Sequence, residues 1–284
     1  MPSLRVTLTE TLITLVTHPK LFLPYIIYQG IAAIAGYFFI AAYMDAYLLP
    51  PNGMNASFII WQTIYYTFFL VTQPFFEGWT YFMLVIFLTE GRVSLQEGML
   101  NSKRKYLGFL GLELVYLTAI SLVMIPLAII FVTLLTGVAL SRITFMGTFP
   151  TTFLILLSLF IITTMTFSAI ISVLFAYVKP VYAQVGDFFE SLKEGIGAAW
   201  KTFWDTALIV VAVFIPGVII YSPSIIFLFE LVKNIASTPT AFLPFQSMHF
   251  PFWFFLNAAI MGMLTHTFLA CAFTHYYLIY RKWI

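Results

Sequence analysis

Charge is what this chain has least of. Only 8% of its 284 residues are Asp, Glu, Lys or Arg, against roughly 25% in a soluble domain. With 62% hydrophobic residues and a mean hydropathy of +0.99, there is too little polar surface to cover a water-soluble fold, which excludes an ordinary globular enzyme or binding domain. Cysteine is nearly missing as well. Cys271 stands alone, so an intrachain disulfide and any multi-cysteine metal site are ruled out. Neither phosphate-cradling glycine pattern, Gly-x-x-x-x-Gly-Lys-Ser/Thr or Gly-x-Gly-x-x-Gly, is present, and His-Glu-x-x-His and Gly-x-Ser-x-Gly are missing too. Nucleotide hydrolysis, a metal centre and a cofactor are therefore not expected, nor is nucleic acid as a partner. After Met1 no short apolar core with a small-residue cleavage site follows, so no cleaved signal peptide is expected.

What the chain does have is apolar runs, at residues 21–49, 58–88, 106–135, 152–178, 203–231 and 252–280. Each exceeds the ~20 residues that a bilayer crossing needs. The reading is an all-α integral membrane protein with six transmembrane helices. The second run, if one helix of ~30 residues, would be ~45 Å long against a hydrocarbon core of ~30 Å. It must tilt, kink at Pro74 or project beyond the bilayer.

The runs are grouped by a recurring motif. Ser94-Leu95-Gln96-Glu97-Gly98 returns as Ser191-Leu192-Lys193-Glu194-Gly195, and a looser copy, Thr7-Leu8-Thr9-Glu10, lies near the start. In Ser/Thr-x-x-Glu the hydroxyl and the carboxylate each satisfy a backbone N–H at a helix start. Asp187 with Glu190 offers a rival start for the last copy. Beyond the motif the register persists, with Met99 against Ile196, Tyr106 against Phe203 and Pro126 against Pro223. A single membrane domain, 1–284, is thus expected to hold three repeats, 3–90, 91–178 and 179–284, each an amphipathic helix on the membrane face followed by a transmembrane hairpin. In the first repeat Leu4, Leu8, Leu12 and Leu15 would form the apolar face of that helix, and in the third Phe189, Leu192, Ile196 and Trp200.

Lys and Arg set the orientation. All of the 13 except Arg142 and Lys233 fall in the N-terminal segment, the two polar stretches or the C-terminus, which predicts cytoplasmic termini in a prokaryotic cell membrane, with outer connections at 50–53, 141–150 and 233–250.

Ionisable groups at membrane depth are costly and are the first candidates for function. Counting ~1.5 Å per residue from the flanking polar stretches puts Glu77 and His266 near the midplane, with Glu113 and His275 in the cytoplasmic half. With Gln73 and Thr164 they form the candidate intramembrane polar site, a cavity in which Glu77 or Glu113 pairs with His266. The alternative for these residues is interhelical hydrogen bonding that fixes the bundle. The run Lys103, Arg104 and Lys105 is placed to meet anionic lipid headgroups, each charge adding about 1 kcal/mol of attraction.

Leu192, Gly195, Ala198-Ala199-Trp200 and Phe203-Trp204, together with His18-Pro19-Lys20-Leu21-Phe22-Leu23-Pro24, resemble prokaryotic multi-helix membrane families related to the membrane domain of some glycerophosphodiester phosphodiesterases. The resemblance implies a multi-helix membrane domain and brings no catalytic residue with it. Six spans in three repeats would also suit a mitochondrial carrier, but the Pro-x-Asp/Glu-x-x-Lys/Arg signature is missing. Two functions follow as expectations. The first is a non-enzymatic membrane subunit or scaffold, its partners being lipid and a second protein or copy of itself. The alternative is a transporter, channel or lipid-handling protein using the polar cavity, and an intramembrane enzyme ranks behind both.

Overall fold

A computed structural model describes residues 4–48, 56–141, 149–237 and 251–281, and among these no strand occurs. The helices are α1 (Leu4–Thr17), α2 (Leu23–Leu48, after a 3-10 turn at Pro19–Phe22), α3 (Ala56–Glu90), α4 (Leu95–Ser141), α5 (Phe149–Phe175), α6 (Val178–Val185), α7 (Phe188–Lys201), α8 (Phe203–Ser237) and α9 (Phe252–Arg281). Four stretches are long and apolar enough to cross a membrane: Pro19–Ile40, Leu95–Leu134, Ser158–Val185 and Phe252–Ile279. A fifth is added if Phe188–Lys201 and Phe203–Gly217, bent by 87° where they meet, count as one. The run at 58–88 is not among them. It falls in α3, whose sequence is rich in Phe, Tyr, Trp and Thr and carries Gln73 and Glu77. The turn expected at 50–53 and most of the connections at 141–150 and 233–250 lie outside the described residues.

Burial divides the helices lengthwise. One buried cluster joins Trp79, Met83 and Leu84 of α3 to Phe109 and Leu112 of α4, Val178 and Tyr182 of α6, and Leu15, Leu21 and Cys271. A second joins Tyr177, Val181, Ala199 and Ile209 to Ala272, Tyr276 and Tyr277 of α9. Away from these clusters the helices still meet, as at Phe131–Phe160 and Asn257–Ser224, but leave broad apolar faces open. Leu122, Ile129 and Val132 of α4, Ile155 and Ile162 of α5, and Ile215 and Ile219 of α8 are exposed. An apolar surface of that extent needs lipid or another apolar surface to cover it.

This division explains the overlong helices. At 35 and 47 residues, α3 and α4 reach roughly 52 and 70 Å, well beyond a ~30 Å hydrocarbon core. The surplus is the end that packs: Trp79 Nε1 donates to Leu95 O at 3.0 Å, Ser102 Oγ to Phe75 O at 2.6 Å and the Tyr106 hydroxyl to Val71 O at 2.8 Å, an antiparallel seam. α3 runs unbroken through Pro74. The polar residues from Leu95 to Lys105 and the run from Tyr106 belong to the one helix α4, whereas α7 and α8 are parted at Thr202.

The three motif copies start helices unequally. Ser94 Oγ accepts from Glu97 N at 3.3 Å, as expected. In the third copy the rival wins: Asp187 caps α7, accepting from Glu190 N at 2.8 Å, and Ser191 lies one turn inside with its hydroxyl donating to Asp187 O. Thr7 is also interior, since α1 already begins at Leu4. What the second and third copies share is the glycine. A Cβ on Gly98 would sit 2.5 Å from Met83 Cγ, and one on Gly195 would sit 2.6 Å from Val178 Cα, so each polar helix presses its glycine against the helix behind it. Gly91 and Gly186, at φ 72° and 78°, end those preceding helices in the left-handed conformation that glycine tolerates best.

α1 keeps part of its expected face: Leu15 is buried and Leu4 and Leu8 pack half-buried on the second cluster. Leu12, however, is exposed with Ile13 and Val16, and Thr7, Thr11 and Thr14 take the other buried positions. Small Thr side chains allow α1 to approach α9 closely, and Thr14 Oγ1 lies 3.1 Å from His275 Nε2. α7 is closer to expectation, with Leu192 and Ile196 half-buried on the first cluster and Phe189 and Trp200 exposed on the same face.

Candidate functional site

Lys179 is the residue around which the site is built. α5 ends at Phe175, the chain turns through Ala176 and Tyr177, and Lys179 enters in the first turn of α6, just ahead of Pro180. α6 packs against α3, α4 and α9, so a short helix carrying one cation is driven into the middle of the packed layer. There the Lys179 ammonium donates to Glu77 Oε2 and, at 2.6 Å, to Glu113 Oε2. The side chains of Glu77 and Glu113 are only 5% and 6% exposed, and that of Lys179 is 18% exposed. Ions removed from water to this degree are held only when paired and hydrogen-bonded, and removing one partner of such a pair typically costs about 3–5 kcal/mol.

The network extends along α3 and into α2. Gln73 Nε2, one turn before Glu77, donates to Glu77 Oε1 at 2.8 Å, and the Tyr28 hydroxyl donates to Gln73 Oε1 at 3.2 Å. Beside it lies a cavity of about 190 Å³ whose lining includes Tyr25, Glu77, Glu113, Tyr116, Lys179 and His266. His266 stacks on Tyr25 with ring centroids 5.5 Å apart. Lys179 Nζ lies 6.0 Å from the Tyr116 ring, and the Tyr116 hydroxyl and Ser172 Oγ are 2.9 Å apart. Formally the cluster holds two negative charges and one positive. It offers a solute carboxylate oxygens, an ammonium, an imidazole and phenol hydroxyls within one small space.

Of the residues named from sequence, Glu77, Glu113, His266 and Gln73 do line this cavity. The other two do not. His275 is turned to Thr14 at the α1–α9 contact, and Thr164 sits on α5 away from the cavity, its buried hydroxyl unpaired. The expected partner also changes: Glu77 and Glu113 meet Lys179, while His266 contacts Tyr25. Glu77 belongs to the α3 segment seamed to Ser102 and Tyr106, beside the polar start of α4.

Lys179 itself was counted only as an orientation charge. Its flanks held the missing signal, for it stands alone between 165–178 and Pro180-Val181-Tyr182-Ala183, with no second charge beside it to keep it in water. Lys103 and Arg104 are exposed on α4, as lipid contact requires, and Lys105 Nζ donates to Gly186 O at 3.2 Å. Nearby, Arg92 bridges Glu90 and Glu97 at 2.7 and 2.9 Å. The hydrogen bonds it donates to Glu97 and Glu90 hold its guanidinium above the usual range, but so exposed a group contributes little to stability. Among the described residues no three His, Cys, Asp or Glu side chains gather as metal ligands. No family model matches the chain, and neither a curated protein nor a solved structure does.

Proposed function

We propose that the chain is a polytopic membrane protein that works through the Glu77–Lys179–Glu113 cavity, binding or moving a small polar solute, as a transporter or lipid-handling protein does. The observation that carries this is the buried ion cluster facing a polar cavity. A scaffold needs neither, since apolar packing of similar volume is as stable as a buried ion pair or more so. Six spans in three repeats, with cytoplasmic termini, remain the layout we propose. Its support is the pair of left-handed glycines, Gly91 and Gly186, each followed by a polar helix whose own glycine, Gly98 or Gly195, packs on the helix behind.

The test is ligand-dependent stability of the purified protein. A panel of small amines, amino acids, carboxylates and phospholipid headgroups is screened for a rise in unfolding temperature, since anything that binds only the folded state raises it. A solute that stabilises the wild type, but not Glu113→Gln or Lys179→Gln, supports the cavity. If no solute does so, and a strain lacking the protein is rescued fully by both variants, the cavity is structural and the scaffold function takes its place.

A further inference from the structure

The charge count of the cluster does not close. Glu77 and Glu113 face a single ammonium, and an uncompensated charge in so buried a position costs several kcal/mol. The remaining titratable groups around it are Tyr25 and Tyr28 from α2, Tyr81 from α3, Tyr116 from α4 and His266 from α9, while α5 contributes only the Ser172 hydroxyl. Phenols are neutral near pH 7. His266 stacks on Tyr25 and shows no hydrogen bond to either carboxylate. Among the described residues no second cation is hydrogen-bonded to either carboxylate, which leaves a proton from solution to supply the balancing charge.

The hydrogen bonds say where it goes. Both oxygens of Glu77 accept, Oε1 from Gln73 and Oε2 from Lys179, which favours its ionised form. Glu113 accepts only at Oε2, and its Oε1, on a side chain lining the cavity, has no hydrogen-bond partner among the described residues. We propose that Glu113 carries one exchangeable proton on Oε1, so that the cluster alternates between a neutral form and a form with one negative charge, and the cavity solute is exchanged against that proton. Proton uptake converts the Glu113 carboxylate to a carboxylic acid able to donate into the cavity, while Glu77 and Lys179 remain an ion pair. This rests on the cavity being the working site and adds the coupling ion to it.

The experiment is infrared difference spectroscopy on the full chain reconstituted in lipid, stepped between about pH 8 and about pH 5, a window in which exposed carboxylates stay mostly ionised. The wild type is expected to show one carboxylic-acid carbonyl band that grows as pH falls. Glu113→Gln removes it and His266→Gln leaves it. Glu77→Gln leaves Glu113 alone with Lys179 and moves the band's midpoint to lower pH by about one unit or more, whereas Lys179→Gln moves it to higher pH. The Glu77→Gln shift serves as the deciding measurement should Glu113→Gln fail to fold. Absence of the band from the wild type, or its persistence in Glu113→Gln, overturns the proposal. A missing band together with solute binding that needs Glu113 removes the proton and leaves the cavity standing. A band at Glu113 without any such solute leaves the proton and removes the transport function.

Discussion

Replacing Lys179 by Gln should harm the fold far more than replacing either carboxylate, although one residue changes in each case. Among the described residues Lys179 is the only cation paired with Glu77 and Glu113, so Lys179→Gln strands two buried carboxylates, and the loss of a buried partner costs about 3–5 kcal/mol. Glu113→Gln removes one charge-assisted hydrogen bond, worth about 1.5–3 kcal/mol, but leaves Glu77 and Lys179 as a neutral pair, which offsets part of that loss. At roughly 2–4 °C per kcal/mol for a protein of this size, Lys179→Gln should lower the unfolding temperature by about 10 °C and Glu113→Gln by only a few. The assay is thermal unfolding in mild detergent at two pH values, followed by tryptophan fluorescence. The pH dependence has a definite sign. Stranded carboxylates in the folded variant bind protons more readily than they do in the unfolded chain, so the deficit of Lys179→Gln should be smaller near pH 5 than near pH 8. The triple variant Glu77→Gln/Glu113→Gln/Lys179→Gln, with no charge left to strand, should recover most of the loss. If Lys179→Gln proves no worse than Glu113→Gln at pH 8, the three side chains are not an ion cluster and the charge argument fails.

Gly195→Ala puts a Cβ 2.6 Å from the Val178 backbone, which has no flexible end to give way, and should destabilise by about 1–3 kcal/mol. Gly197→Ala, two residues on and with nothing within 4 Å, should stabilise α7 by about 0.5–1 kcal/mol, and the two are compared by thermal unfolding. Asp187→Ala should cost about 1 kcal/mol through loss of the α7 cap, read as faster amide exchange over 188–191, whereas an equal effect from Ser191→Ala would favour the cap expected from sequence. Thr14→Val removes the partner of buried His275 and should cost about 1–3 kcal/mol, visible as earlier proteolysis within 4–17.

Much of the helical layout was legible because it follows from hydrophobic runs and turn chemistry. The run at 21–49 became α2, and the last run, 252–280, became α9 to within a residue. Three features were hidden for separate reasons. Whether a polar helix fuses with the next run, as in α4, or breaks, as at Thr202, depends on what packs around the junction. The buried face of α1 followed Thr7, Thr11 and Thr14 because α9 offers close approach, and a hydrophobic pattern cannot anticipate a polar face turned inward. Lys179 was missed because a cation at the end of an apolar run is most often interfacial. Its burial is decided by Glu77 and Glu113, 102 and 66 positions away along the chain.

The long helices and the ion cluster answer one another. A helix only as long as a bilayer is thick would leave Glu77 with lipid on most sides, where its charge could not be kept. By extending α3 to Glu90 and starting α4 at Leu95, the chain gains a second packed layer, made of the surplus turns together with α1, α6 and α7, that surrounds the charges with protein. Lys179 then reaches them from the α5–α6 turn. A site there is lined by tyrosines yet close to the polar helices. On the proposed function, exchange with one aqueous side would run through local movement of α6, whose eight residues are bounded by the turn at Tyr177 and by Gly186. Straining that hinge is therefore the perturbation that tests the route. Gly186→Ala, strained at φ 78°, should act on the rate of solute release in a stopped-flow displacement assay more than on the equilibrium constant. A proportional loss of affinity instead would place the path elsewhere.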